Sequence, residues 1–449
     1  MSDSRRYILL SLVIFLLWGC GPEEVREVPT QGAALAYFDG AFRLFKEGEP
    51  HYILGACVLD TTGLEEFVQV GGNTIRTYPG ADLELILSRA DSLGLSVIVG
   101  LDMVPYRKGM DYTDPEKVSN LWERIQAQVL AHKDHPAILM WAIGNELPIN
   151  ASRKQTKAIY RTINDFSKRI HELDSLHLTT YMAEGPQGAW DTYRRCKDLD
   201  VVSVNTFRSM GKLQWFLDYF GWAVQKPLLY SEWGPTGYWN APTTTWGAPV
   251  ELNGEEKAAE YSSYYVTFLE EGGKLGLGSC LFLWGQKQEQ THTWFSYFTE
   301  LGEPTVLVDE IGHLWTGEYV GNRAPVAQAI GVDTFDASRE VILETGREYY
   351  AEGFAFDVNE DDSLSYDWEI TQEYERNAVT GGDAEKRPEP LPELLVEENG
   401  QLLKFRTPEE PGAYRIYFYV RDNEGKAGVT NVPFYVNKPS GLKTIANVE

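Results

Sequence analysis

The stretch "HPAILMWAIGNELP", residues 135–148, decides the fold. From Ala137 to Ile143 it shows no polar alternation, which is how a strand covered on both faces reads, as in a parallel sheet wrapped by helices. The run then finishes on Asn145 and Glu146. A carboxylate is a poor packing residue at the end of such a strand, because its burial is costly unless it is paired or protonated. Glu146 therefore marks a candidate site. The plain alternative is an acid at a helix start just past the strand, with Asn145 as its cap.

Working outward, the chain repeats this strand type from about residue 50. The runs are "HYILGACV", "NTIRTY", "SVIVGLD", "AILMWAIGNE", "HLTTYMAE", "DVVSVNTF", "PLLYSEWG" and "GSCLFLWG". Between them lie stretches such as "LELILSRADSLG", "VSNLWERIQAQVLAHK" and "RKQTKAIYRTINDFSKRIHELD", whose apolar residues recur at helical spacing. Eight βα units in sequence predict a (β/α)8 TIM barrel in the α/β class. The expected barrel spans residues 36–320. No glycine-rich phosphate loop follows the first strand, so nucleotide binding has no support.

Reactive groups of such a barrel sit at the C-terminal ends of its strands. Glu146 ends the fourth strand and Glu232 the seventh, so both face one mouth. Two glutamates there are what a retaining glycosidase needs, one to attack the anomeric carbon and one to protonate the leaving oxygen.

"WAIGNE" on the fourth strand, "SEWG" on the seventh, "GGNTIRTYP" on the second and "LFLWG" on the eighth together resemble the retaining TIM-barrel glycosidases of the clan that includes glycoside hydrolase family 2 and many β-glucanases. The resemblance spans about residues 36–318. It implies that Glu146 is the general acid/base and Glu232 the nucleophile, kept ionised by Arg76. It further implies that Asn145 bonds the sugar hydroxyl beside the anomeric carbon, and that Trp284 offers a flat face to the ring. For Arg76 the alternative is a structural ion pair, and for Trp284 plain core packing. Asn205, Tyr78 and Trp233 are further expected substrate-binding residues. One departure stands out: where the clan often has a tyrosine touching the nucleophile after the sixth strand, "SVNTFRSM" offers Asn205 and Phe207. Tyr106, Trp190, Trp239 and Trp246 are unassigned aromatics near strand ends.

The N-terminus, "MSDSRRYILLSLVIFLLWGC", carries two arginines and an apolar run from Tyr7 to Trp18. The run is too short for a membrane-spanning helix, which needs about 20 residues, and it fits a signal peptide. "LWGC" resembles a bacterial lipobox, which implies removal of residues 1–19, lipidation of Cys20 and an outer-membrane location, at the cell surface or otherwise in the periplasm. Residues 20–35 read as a linker. The remaining cysteines, Cys57, Cys196 and Cys280, form an odd, widely spaced set with no disulfide or metal pattern.

After "HLWTGEYVGNRAPVA" the pattern changes to short strands with turn signals, predicting an all-β immunoglobulin-like sandwich over residues 324–437 and a tail over 438–449. "DVNEDDSLSYDWEI" and "PGAYRIYFYVRDNEGKAG" resemble PKD modules of secreted bacterial enzymes. Asp357, Glu360, Asp361 and Asp362 read as a solvated acidic turn in preference to a calcium site, and no metal is assigned. The sandwich is expected to follow the last barrel helix to the side away from the mouth.

A formal net charge of −26 repels phosphate backbones and anionic membranes, which leaves the lipid as the sole membrane link and excludes nucleic acid. The sequence thus predicts a lipid-anchored retaining glycoside hydrolase that cleaves a β-linked polysaccharide or oligosaccharide without a cofactor. An endo-β-1,3-glucanase is the leading form, with an exo-β-glycosidase or β-1,3-glucanosyltransferase as alternatives. A non-catalytic glycan-binding lipoprotein is the reading from another class.

Overall fold

The computed structural model describes residues 30–220, 225–269, 275–333, 340–375 and 385–439. Cys20 and the leader lie outside them.

Eight parallel strands close a barrel. They are β4 (Ile53–Cys57), β5 (Thr74–Arg76), β6 (Ser96–Gly100), β7 (Ile138–Asn145), β8 (Leu178–Glu184), β9 (Val201–Asn205), β10 (Leu228–Trp233) and β11 (Gly276–Leu281), with β11 pairing back onto β4. Each matches one of the eight runs read from the sequence. Helices between them cover the outside, among them α1 (Leu64–Gln69), α2 (Leu83–Ser92), α3 (Pro115–His132), α4 (Arg153–Leu173), α5 (Gly185–Arg195), α6 (Met210–Phe220), α7 (Gly254–Tyr264) and α8 (Val306–Thr316). Their starts are written locally. Asp114 caps α3 ahead of Pro115, and Asn253 with Glu256 forms a reciprocal capping box on α7.

The period of two divides each strand between two cores. On β7, Met140 and Ala142 point into the barrel with Ile53, Ile98, Met182 and Leu229. Trp141 and Ile143 point outward to the helices with Ile125 and Phe166. Both faces are apolar, hence the unbroken run.

The chain enters the barrel through a small antiparallel sheet, β1 (Ala33–Phe38), β2 (Ala41–Lys46) and β3 (Glu49–Pro50). It closes the floor. Phe42 and Leu44 join the interior cluster, and Lys46 Nζ donates to Ser96 Oγ at the start of β6. The expected linker, residues 20–35, is therefore already strand from Ala33. Short alternating runs of this kind carry little weight beside eight longer ones.

The C-terminal module packs two sheets, β12 (Val326–Val332), β14 (Glu348–Phe356), β17 (Leu402–Arg406) and β16 (Leu395–Asn399) against β13 (Val341–Glu344), β19 (Ala427–Asn437), β18 (Gly412–Arg421) and β15 (Ser365–Gln372). Phe405, Ile416, Phe418 and Phe434 fill the space between them. The sandwich is as expected; its position is not. It lies against the loops that follow β10 and β11 on the mouth side. Arg415 donates to Pro249 O at 2.8 Å, His292 Nε2 meets Tyr419 Oη at 2.7 Å and Arg421 pairs with Glu303 at 2.6 Å. Long loops after the last strands reach out and carry the module back toward the mouth.

Candidate active site

The C-terminal ends of β5, β7, β9 and β10 bring together one connected polar network. Arg76, 1 % exposed, is its hub. One terminal nitrogen donates to Glu232 Oε1 at 2.7 Å and to Ser231 O at 2.8 Å, while the other donates to Asn145 Oδ1 at 2.7 Å. The guanidinium also lies 4.7 Å from the centre of the Tyr78 ring, and the Tyr78 hydroxyl donates to Glu232 Oε1 at 2.9 Å. Charge-assisted bonds of this kind hold the carboxylate fixed. All of them converge on Oε1. Glu232 Oε2 has no protein partner among the described residues.

Asn205 supports the other carboxylate. Its amide donates to Glu146 Oε1 and to Asn145 Oδ1, each at 2.9 Å, and its own oxygen accepts from Ser231 Oγ at 2.9 Å. Asn145 Oδ1 thus accepts from Arg76, which can only donate, and from the Asn205 amide, which fixes the Asn145 orientation and turns its Nδ2 toward a ligand. The two glutamates hang on the continuous path Glu146–Asn205–Asn145–Arg76–Glu232.

Local backbone features aim these side chains. Between Ala142 and Asn145, β7 carries one residue more than β8 opposite it. A bulge here lets the consecutive residues Asn145 and Glu146 both face the mouth. Gly144 supports it at φ +91°, where an added Cβ would stand 2.8 Å from Leu147. Glu146 itself is at φ +48°, a strained position for a non-glycine residue. It is held there by its N–H to Met182 O at 2.9 Å and by Leu147 N–H to Tyr181 Oη at 3.1 Å.

The two acids differ in their surroundings. Burial, followed by the charge of Glu232, pushes the Glu146 carboxyl up to about 7, against the opposing pull of the Asn205 bond. A carboxyl that keeps its proton near neutrality beside an Arg-bound carboxylate is the arrangement that acid and nucleophile require.

Among the sequence-predicted residues, Glu146, Glu232, Arg76, Asn145, Asn205 and Tyr78 meet in this network. Tyr78, from beyond β5, supplies the contact to Glu232 that the sixth strand lacks. Trp284 and Trp233 do not belong to it. Trp284 is 1 % exposed, donates to Gly63 O at 2.7 Å and packs on Phe67, Tyr297 and Phe298. Trp233 is fully buried against Tyr261 and Tyr265. For Trp233 the strand period is the cause, because once Glu232 points in, Trp233 points out; Trp284 lies beyond the end of β11 at Leu281, where that alternation no longer holds. On the eighth strand Phe282 joins the interior cluster, and Trp284 falls in the helix-side core. Phe282 packs with Phe207 and Phe295, and Trp239, 48 % exposed, stands edge-on to Phe207. Phe282, Phe295 and Phe207, unlike Trp284 and Trp233, thus belong to or pack against the interior cluster of the barrel. Trp246 instead packs on Tyr435 of the sandwich.

A (β/α)8 barrel with paired acids at its mouth is the architecture of many glycoside hydrolases, and residues 62–243 match the family model for glycosyl hydrolases family 2, TIM barrel domain. The matched segment includes Arg76, Tyr78, Asn145, Glu146, Asn205 and Glu232. Rat (Rattus norvegicus) β-glucuronidase is 26% identical over 186 residues, covering 37% of this chain and 26% of that one. A variant of Bacteroides uniformis β-glucuronidase 2 superposes over 90% of this chain and 48% of its own, with a TM-score of 0.50 and 14% identity. Bifidobacterium dentium β-glucuronidase, complexed with coumarin-3-O-glucuronide, covers 64% of this chain and 50% of its own, with a TM-score of 0.50 and 16% identity. The chain spans about half the length of these two structures and 26% of the rat protein.

Proposed function

We propose that this chain is a retaining β-glycoside hydrolase that removes a terminal sugar. The observation that carries the reading is the pairing of an Arg-held Glu232, with one oxygen open, and a protonated Glu146 on one hydrogen-bond network. In the first step Glu232 Oε2 attacks the anomeric carbon as the bond to the leaving oxygen breaks, and the Glu146 proton passes to that oxygen. In the second, Glu146 takes a proton from water, the water oxygen attacks the anomeric carbon, and the bond to Glu232 breaks. Asn145 Nδ2 donates to the neighbouring sugar hydroxyl, a bond that tightens as positive charge develops on the ring. Every electron pair and proton stays among sugar, water and two carboxylates, so the chemistry needs no cofactor.

Two things favour terminal cleavage over the endo-β-1,3-glucanase expected from the sequence. The relatives are named β-glucuronidases, and β-glucuronides are cut at a terminal residue. The loops after β10 and β11, backed by the sandwich, also wall one side of the mouth. A β-glucuronide is therefore the first substrate to try, with neutral β-glycosides beside it. The deciding experiment incubates the protein with p-nitrophenyl β-glucuronide, β-glucoside and β-galactoside, and separately with laminarin. Release of p-nitrophenol from one aryl glycoside, with laminarin length unchanged in the first minutes, is expected. An early ladder of laminarin oligosaccharides would restore the endo reading, and turnover of nothing would favour a glycan-binding protein.

Lipid anchoring at Cys20 is part of the proposal and rests on "LWGC" alone. Among the described residues no helix is long and apolar enough to cross a membrane. In cells, Cys20→Ala should move the protein from the membrane to the soluble fraction; a variant left wholly in the membrane pellet contradicts the anchor.

A further inference from the structure

The sandwich gathers unused oxygen ligands at the point where it joins the barrel. Asp357 and Asp362 lie on the turn between β14 and β15, and Asp422 lies on the turn between β18 and β19. One carboxylate oxygen from each lies within 4.8 Å of the others. Asn322, in the segment that leads from α8 into β12, joins them through its amide nitrogen, which donates to Asp362 Oδ2. Glu360 and Asp361, read with them as one solvated turn, are not members.

Proximity of acids is not enough to make a site, and the decisive feature is how the oxygens are used. Asp422 is 9 % exposed. Its Oδ1 accepts from the Glu424 and Lys426 backbone N–H groups, at 2.9 and 2.8 Å, and its Oδ2 is buried with no partner. Asp357 repeats the pattern, with Oδ1 bound to Asn359 N–H at 2.8 Å and Oδ2 buried and unpartnered. Asn322 Oδ1 is a third buried oxygen without a partner. Buried acceptors of this kind normally find a donor. The Lys426 ammonium is committed to Asp309 Oδ1 at 2.5 Å and to Asn322 O, and the Arg323 guanidinium, whose charge also acts on Asp357, lies over the Tyr319 ring at 4.0 Å. Asp357 and Asp422 are thus each pinned through one oxygen by backbone bonds and left open at the other, Asn322 is pinned through its nitrogen on Asp362 with its oxygen open, and Asp362 completes the group.

We propose that this cluster is a calcium site that ties the barrel to the sandwich. The donors are all oxygen, with no histidine or cysteine, which selects a hard cation. Several carboxylates supplied by the protein suit calcium's six to eight oxygen ligands better than magnesium, which keeps its own waters. The ion would join the Asn322 segment to two turns of the sandwich. Asp309 of α8 extends the clasp by accepting from Ala324 N–H at 2.6 Å and from Lys426.

The test uses the full chain, stripped with EDTA and titrated with calcium chloride by calorimetry, with thermal melting in parallel. One calcium bound per chain is expected, with a melting temperature raised by about 5 °C or more at saturation and a much weaker response to magnesium chloride. Asp422→Asn should weaken calcium binding at least ~100-fold while leaving the glycosidase site intact. Should that variant fail to fold, Asn322→Ala removes one ligand and leaves both turns in place, and a loss of about tenfold is expected. The proposal is overturned by no heat and no shift with calcium, by an equal response to magnesium, or by Asp422→Asn or Asn322→Ala that folds and binds as tightly as the parent. None of these readouts depends on the sugar chemistry.

Discussion

At the scale of single residues, the site stands on two carboxylates in different environments, and substitution should separate their roles. Glu146→Gln and Glu232→Gln are each expected to cost at least ~10²-fold in kcat on an unactivated substrate with the fold retained. Azide separates them further. With Glu232→Ala, azide should give a product of inverted anomeric configuration, and with Glu146→Ala a retained one; the same anomer from both would contradict the assignment. The pH profile follows from the raised Glu146 carboxyl. The protonated form is the working acid, so activity should fall as pH rises through about 7, and that limb should vanish in Glu146→Ala on a dinitrophenyl glycoside that needs no acid. Tyr78 donates to the Glu232 oxygen already held by Arg76. Tyr78→Phe should lower kcat by about tenfold to a hundredfold, the worth of one bond to a charged group, with little change in melting temperature.

At the scale of elements, the strand period and the point where each strand ends decide which aromatic residues face the barrel interior. Trp284→Ala should cost about 3–5 kcal/mol of stability, because it opens a hole behind β11. Trp239→Ala should leave melting unchanged and raise KM by roughly fivefold, the loss of one stacking contact of about 1 kcal/mol. Thermal melts and initial rates on both variants check this; a KM effect of Trp284→Ala without destabilisation would return that residue to the site. The same period explains what could be read from the sequence. All eight strands were legible because each is buried on both faces, and Glu146 and Glu232 were legible because a carboxylate ending such a strand has no packing reason. The outward turn of Trp233 was legible by alternation from Glu232, whereas that of Trp284 was not, because it lies past the end of β11, where the period of two stops. The bulge in β7 was not legible, since one extra residue in a pairing register leaves no mark on a single strand's composition. The Tyr78 contact was hidden for a related reason: it crosses from β5 to β10, and only barrel closure brings those strands near.

At the scale of the whole molecule, the sandwich supports the loops that shape the mouth. Arg415, buried, donates twice to Glu373 while also bonding Pro249 O. Arg415→Ala would strand a buried carboxylate and should cost about 3–5 kcal/mol, measurable by chemical denaturation. His292 lies in the same contact. Burial, and then the charge of Arg387, lower its pKa to about 3, so it stays neutral in the folded protein and protonates only on unfolding. A depressed pKa contributes stability above the unfolded value of 6.5, and that stability is lost as pH falls through 6.5 toward 3. His292→Gln should flatten this acid-side loss in melting temperature. The direction in which the sandwich folds back could not be read from the sequence, because it is set by side chains of two loops meeting partners more than a hundred residues away.

The catalytic assignment for the molecule as a whole is tested most directly by trapping. The protein is incubated with the dinitrophenyl 2-deoxy-2-fluoro-β-glycoside of whichever sugar it hydrolyses, digested, and its peptides weighed by mass spectrometry. A single glycosyl adduct on the peptide containing Glu232, absent from Glu232→Gln, is the expected result. An adduct on Glu146, or steady turnover to the inverted sugar with no adduct at all, would contradict it.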